Sequence, residues 1–265
     1  MSRIIAIDAG HGLHTPGKRC LKSIDPNQTR EWYLNDRIAD RLEQLLSEYD
    51  CKVIRVDDTT GARDISLAKR CQTANNAGAD IYISIHHNAG LGGRKGGGTV
   101  VFYYPSGSCK DVADRLYNCV VKKTGLRGNR STPVANGKGL YVIRKTTMPA
   151  FLIENGFMDS PTDTPIILTA EHAGKSAQGI LQFIVEEYKL EKEEGSTPET
   201  TPYYPAYKGL KTTLVDALNR TGINSSYAFR AKIARANGIR GYIGSYAQNV
   251  QMYNLLAAGL LKKAA

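Results

Sequence analysis

The sequence predicts an α/β fold: a twisted, mostly parallel sheet with helices on both faces, followed by a small, mainly helical C-terminal domain. Three observations predict it. Between residues 3 and 187, short apolar runs alternate with stretches of amphipathic helical periodicity, the pattern of parallel strands joined by crossover helices. Residues 190–202 are rich in Glu, Thr, Ser and Pro and show no periodicity, so they read as a solvated linker. Residues 203–265 return to apolar positions at helical spacing, broken at Gly222, Gly238 and Gly244. The expected domains are therefore 1–189 and 203–265, with the linker 190–202 between them.

Each element has its own warrant. The first strand, 4–8, is an isoleucine-rich run stopped by Asp8. The helix over 30–49 places Ile38, Leu42, Leu45, Leu46 and Tyr49 on one stripe, and stepping back along that stripe reaches Asn35 and then Glu31. Thr29 is positioned to cap this helix, whose dipole favours an ionised carboxylate at Glu31. Strands follow at 52–56 and 81–85 around a helix at 67–76. The basic, glycine-rich stretch 92–98 reads as a mobile rim. A strand at 99–104 and a helix at 110–123 come next, then two short apolar runs, 140–144 and 150–154, both read as strands. The last helix of the first domain spans 171–188, with His172 on an exposed face.

Composition narrows the class. At 265 residues, with 42% hydrophobic and 23% charged residues, the chain is an ordinary globular protein with room for a sizeable core. The net charge of +10 is unevenly placed: after Tyr203 nine Lys or Arg residues face the single acidic Asp216, so the C-terminal domain is built to meet something anionic. The apolar run at 4–7 is too short for a signal-peptide core, and no stretch is suited to membrane insertion. The five cysteines are scattered without a C-x-x-C pair, which points to free thiols in a reducing compartment.

Candidate chemistry sits where predicted elements end. His11 follows the first strand, His86 the third, and Glu154 the run 150–154, while Glu31 opens the first long helix. An open α/β sheet gathers ligands at the carboxyl ends of its strands, so these residues can meet in one crevice. His11, Glu31 and His86 supply the nitrogen and oxygen ligands of a catalytic zinc site with one position left for water, and Glu154 supplies a carboxylate to shuttle protons. His87 adjoins His86, but neighbouring strand residues face opposite ways, so only one of the two reaches the metal. His87, Asn88 and the loop residue His14 are candidate substrate contacts.

These residues carry a family resemblance. Asp8-Ala9-Gly10-His11-Gly12, Glu31 with Asn35, the segment from Ser66 to Arg70, the run from Ala79 to Ala89 and the run from Pro149 to Phe157 resemble, in order, the motifs of the zinc-dependent N-acetylmuramoyl-L-alanine amidases of the type-3 class. The resemblance implies zinc on His11, Glu31 and His86, with the motif register selecting His86 over His87. It also implies Glu154 as catalytic carboxylate, and cleavage of the amide joining the muramic acid lactyl group to L-alanine of peptidoglycan. The C-terminal domain looks like short wall-binding modules of some bacillus and phage lytic enzymes, which implies teichoic acid or other wall polymers as its partner. The expected role is that of a phage endolysin, made in the cytoplasm without a signal peptide and acting on the wall after release. A sporulation mother-cell autolysin has the same chemistry. For the tail alone, Arg230, Lys232, Arg235 and Arg240 beside a glycine break allow a nucleic-acid-binding reading, which leaves the histidines and glutamates unexplained.

Overall fold

The computed structural model describes residues 2–107, 109–192 and 203–264. The chain divides into two compact units, Met1–Glu193 and Glu194–Ala265. In the first unit, β1 (Arg3–Ala9), α1 (Glu31–Leu46), β2 (Cys51–Arg55), α2 (Leu67–Asn76), β3 (Ile81–Asn88) and β4 (Thr99–Tyr103) are followed by α3 (Cys109–Thr124), β5 (Val134–Asn136), α4 (Tyr141–Lys145), β6 (Ala150–Phe157), α5 (Thr164–Ile167) and α6 (Ala170–Tyr188). The sheet order is β2-β1-β3-β6-β4-β5. All neighbours run parallel except β4, which is antiparallel to β6.

The strands read as continuous apolar runs because both faces of the sheet are covered. Odd-numbered residues such as Ile5, Ile7, Ile83, Ile85 and Ile153 pack with residues of α1, α3 and α6, including Ile38, Leu116 and Phe183. Even-numbered residues Ala6, Tyr82 and Leu152 pack on the other face with Cys71 and Ala74 of α2 and Val142 and Ile143 of α4. The alternation fixes which side of the sheet each strand-end residue addresses.

Three element assignments are corrected. The run 140–144 is not a strand: Leu140 is the extended N-cap of α4, and Val142 and Ile143 bury against the sheet face. The edge position beside β4 is held by β5, a three-residue strand. Thr29 does not cap α1; Arg30 is the N-cap, without a side-chain bond, and the Thr29 amide is held by Asp25 Oδ2 at 2.7 Å. His172 is only 3% exposed, because the start of α6 turns it, with Ala173, Ser176 and Ala177, into the core.

The glycine-rich stretch 92–98, expected to be a mobile rim, is tied down by two aspartates that follow β6. Asp159 Oδ2 accepts the amides of Gly90 and Gly92, and Asp163 Oδ2 accepts those of Gly98 and Phe157. Gly98 has φ +94°, and a Cβ there would lie 2.3 Å from the Arg127 carbonyl oxygen, so the close approach of the two backbones requires glycine.

The first unit also stays packed further than expected. Leu190 is buried, and Asp50 donates its amide to the Glu191 carbonyl, so the linker expected over 190–202 does not begin at its first residues; its remainder, 193–202, lies outside the described residues. The second unit holds α7 (Leu214–Arg220), α8 (Tyr227–Ala236) and α9 (Tyr246–Ala257), mainly helical as expected. Hydroxyl N-caps open all three, from Thr213, Ser226 and Ser245, and Gly222, Gly238 and Gly244 adopt positive φ between them. Leu214, Leu218, Ile233, Met252, Leu256 and Leu261 form the unit's own core.

Asp163 is buried and accepts two backbone amides, so its removal leaves both donors without a partner. Asp163→Ala is expected to lower the unfolding free energy of the first unit by about 2–4 kcal/mol, read from denaturant titration. A loss within experimental error would show that water replaces the carboxylate and that the loop does not depend on it.

Candidate metal centre

The site forms at the carboxyl ends of β1, β3 and β6 and the N-terminus of α1. Gly10 continues β1, its amide donating to the Ile85 carbonyl at 3.0 Å. A Cβ on Gly10 would fall 2.0–2.5 Å from the His86 ring atoms, so the missing side chain is what lets the His86 ring lie across β1. The next residue, His11, holds φ +67°, a left-handed conformation that costs a β-carbon residue energy and persists only when its surroundings enforce it.

Arg70, buried at the start of α2, supplies that enforcement. Its guanidinium donates to the Ala9 and His11 carbonyls at 2.8 Å each and to Asp64 Oδ1 at 3.1 Å, and it pairs with the buried Asp8 carboxylate. Asp8 Oδ2 also accepts the Tyr82 and Ser84 hydroxyls, each at 2.8 Å. Burial alone would raise the Asp8 carboxyl, but Arg70, His86 and the Ser84 hydroxyl outweigh it and hold the group below the usual carboxylate range. The loop carrying His11 is thus clamped from beneath by a charged network.

Glu31 enters from α1, its own amide donating to the Lys18 carbonyl at 3.0 Å. Its Oε1 lies 3.0 Å from His86 Nδ1 and 3.3 Å from His11 Nε2, and accepts the His87 amide at 3.3 Å. Despite burial, the two imidazoles hold the Glu31 carboxyl well below its ordinary value; Glu31 in turn raises His86 against the opposing effect of burial. The ligand atoms of His11, Glu31 and His86 all lie within 4.8 Å of one another, the group of three among the described residues that can hold a metal ion.

The donor set fits a cation. Glu31 Oε2 and His11 Nε2 are buried without hydrogen-bond partners, and so is Glu154 Oε2 on the neighbouring strand. Buried polar atoms are normally satisfied, so three such atoms on residues gathered at the same strand ends mark a place for a ligand. Two imidazoles and a carboxylate suit a borderline ion such as zinc rather than magnesium or calcium, which prefer oxygen alone. His86 and Glu154 are register partners on adjacent parallel strands, so they project to the same face. Burial pushes the Glu154 carboxyl up to about 7, His86 opposing and Glu31 adding to the rise.

His11, His86 and Glu154 line a cleft of about 580 Å³. Its other wall comes from Leu67 on α2 and from Leu140, Tyr141 and Val142, the segment that the sequence misassigned as a strand. Lys18 also lines the cleft, its Nζ 3.6 Å from Glu31 Oε2. The remaining expected contacts lie elsewhere. His87 faces the opposite side of the sheet, only 2% exposed, with Nδ1 2.8 Å from Asn35 Oδ1. The Asn88 carboxamide accepts the Ala89 amide, and His14 is exposed on the loop after β1; neither is among the cleft-lining residues. In the sequence, Arg70 figures only as the end of the Ser66–Arg70 motif, with no role of its own, and Lys18 is unmarked. The signal for the role of Arg70 is Asp8, an acidic residue that closes a buried apolar strand and so needs a counter-ion.

Comparison with known proteins agrees with the geometry. The family model described as N-acetylmuramoyl-L-alanine amidase matches residues 5–186. The chain is 30% identical over 190 residues, 71% of its length, to the N-acetylmuramoyl-L-alanine amidase CwlM of Bacillus licheniformis, covering 70% of that protein. It is 29% identical over 222 residues to the endolysin of Bacillus phage SPP1, covering 81% of this chain and 77% of that protein. Among solved structures, an N-acetylmuramoyl-L-alanine amidase from Clostridium difficile 630 superposes with TM-score 0.63 at 29% identity, over 71% of this chain and 97% of that one. The family model spans well over half of the chain, and the chain belongs to the N-acetylmuramoyl-L-alanine amidase family.

Proposed function

We propose that His11, Glu31 and His86 hold a catalytic zinc ion, that Glu154 moves protons in hydrolysis of the muramoyl–L-alanine amide, and that the basic C-terminal unit anchors the enzyme on the wall. The observation that carries the site assignment is the convergence of three ligand atoms within 4.8 Å beside the unpaired Glu154 oxygen. Bound at these ligands, zinc supplies Lewis acidity, acidifying water and polarising a carbonyl.

The remaining work belongs to the chain. Glu154, held on β6 in register with His86, accepts a proton from the attacking water and delivers it to the departing L-alanine nitrogen, so the amide C–N bond breaks to give a lactyl carboxylate and a free amine. Its buried setting keeps a protonated state accessible near neutrality, although a cation at the neighbouring ligands draws the carboxyl back down. Arg70 and Asp8 keep His11 in its left-handed turn, and the apolar side chains of Leu67, Leu140 and Val142 exclude water from one side of the scissile bond.

The biological setting we infer is host lysis as an endolysin. The match to the phage endolysin covers 81% of this chain, against 72% for a sporulation-specific amidase of Bacillus subtilis, and so extends beyond the span of the amidase family model. No helix among the described residues is long and apolar enough to cross a membrane. The nine basic residues after Tyr203 favour an anionic wall polymer such as teichoic acid as the anchor's partner.

Purified protein is expected to contain about one zinc per chain by metal analysis. His86→Ala should abolish zinc binding, whereas His87→Ala, a change on the opposite face, should retain it; the reverse result would move the ligand to His87. Glu154→Gln should fold and keep zinc but release L-alanine amines from walls about 10²- to 10⁴-fold more slowly. Near wild-type turnover would remove Glu154 from the reaction. The Glu154→Gln chain should also sediment with purified walls and do so less as salt rises to about 0.5 M. Changing Arg230, Lys232, Arg235 and Arg240 to Gln should remove that salt-sensitive part; unchanged sedimentation would exclude the basic surface as an anchor.

A further inference from the structure

Helix α9 presents more shaped surface than its packing requires. Met252 and Leu256 are its fully buried residues and belong to the core of the second unit. A separate stripe carries Tyr246, Asn249, Val250, Tyr253 and Asn254, at offsets that place them on one side of a helix. This stripe forms one wall of a groove of about 570 Å³, whose other wall is the segment 211–215.

The lining has a particular chemistry. Tyr246 is 86% exposed, yet it stands on a fixed backbone, because a capping box between Ser245 and Gln248 closes the first turn of α9. Tyr253, further along the stripe, is braced edge-on by Tyr207 at 6.1 Å between ring centroids. The Asn249 carboxamide is oriented by the Tyr242 hydroxyl at 2.6 Å and the Gly244 carbonyl at 3.0 Å. Thr212 and Thr213 donate their hydroxyl protons to Asp216 Oδ2; Thr213 Oγ1 also accepts the Asp216 amide as the α7 cap, and the Thr212 oxygen keeps its lone pairs as acceptors. The exposed Asn254 adds a further carboxamide.

Charge decides the class of occupant. Of the nine basic residues after Tyr203, Lys211 alone lines the groove. A nucleic acid or a polyphosphate is gripped by rows of Lys and Arg, so this groove is not built for one. An exposed aromatic face matches the C–H face of a pyranose ring, since tyrosine combines a large apolar surface with a polar tip. Oriented carboxamides and hydroxyl acceptors match sugar hydroxyls and acetamido groups, and the volume lies in the range that encloses small ligands.

We propose that the groove between residues 211–215 and α9 is a glycan subsite that takes N-acetylhexosamine units of the peptidoglycan strand. The proposal rests on the reading of the C-terminal unit as a wall anchor and refines it. The basic side chains supply long-range, salt-sensitive attraction, and the groove supplies short-range recognition that survives salt.

The test uses the full-length, ¹⁵N-labelled chain and chitotetraose, which has the N-acetylhexosamine units but no lactyl–alanine amide. Titration should shift the amide resonances of Tyr246, Asn249, Asn254 and Lys211, with shifts that persist at about 0.5 M salt. Tyr246→Ala should weaken this binding about 10-fold or more, and Tyr246→Phe, which keeps the ring, should retain it. Neither substitution should alter zinc content or hydrolysis of soluble muramoyl peptides. If the chain sediments with walls stripped of teichoic acid while chitotetraose at about 10 mM moves no groove resonance, the glycan subsite is overturned and the anchor reading stands. Sedimentation with intact walls but not stripped ones overturns it as well, leaving charge as the whole anchor. If neither wall preparation retains the chain, the anchor reading itself fails and takes this proposal with it.

Discussion

The buried ion pair between Arg70 and Asp8 is the constraint on which the cleft depends. A guanidinium in this position is expensive to bury, and it is tolerated because every direction its fork offers is filled: Asp8, the Ala9, His11 and Ile65 carbonyls, and Asp64. Breaking such a pair typically costs about 3–5 kcal/mol because the surviving charge is stranded. Here the consequence is also geometric. Two of the carbonyls flank the turn that gives His11 its positive φ, so the same contacts that stabilise the end of β1 determine where an imidazole points.

Behind the cleft, on the α1 and α6 side of the sheet, a second polar assembly supports the same strands without charge. His172 Nε2 meets the Asn155 carbonyl at 3.1 Å, the Ser176 hydroxyl donates to Asn155 Oδ1, and Asn155 Nδ2 donates to the His86 carbonyl at 3.2 Å. His87 joins through Asn35, whose amide reaches the Gly10 carbonyl at 3.1 Å. Burial lowers both histidines, His172 to about 4 and His87 well below its ordinary value, so both stay neutral near pH 7. Neutral imidazoles hold strand ends by hydrogen bonding and add no positive charge behind a site whose donors fit a cation.

The site was legible in the sequence where one rule sufficed. Parallel strands end on one side of a sheet, which made His11, His86 and Glu154 neighbours before any coordinates, and a helical stripe carried Glu31 toward them. Reading failed where tertiary competition decided. The run Leu140 to Arg144 has strand composition, but three residues of β5 had already taken the position beside β4, too short a strand for periodicity to register. His172 reads as exposed in the sequence, but α6 packs against both α1 and α3, which buries more of its circumference than a surface helix would. Lys18 sits on an irregular loop, where no repeat spacing connects a residue to its destination.

The reversal of β4 sets where the chain between β3 and β4 must run. Because β4 runs antiparallel to β6 while β3 runs parallel to it, β3 ends and β4 begins at the same end of the sheet, the one that bears the cleft. An all-parallel arrangement would have carried the chain from one end of the sheet to the other between these strands. Instead, the whole connection 89–98 stays at the functional end, fastened at both sides by Asp159 and Asp163. Residues inserted between those two fastenings would lengthen the connection at this end of the sheet and leave all six strands in register.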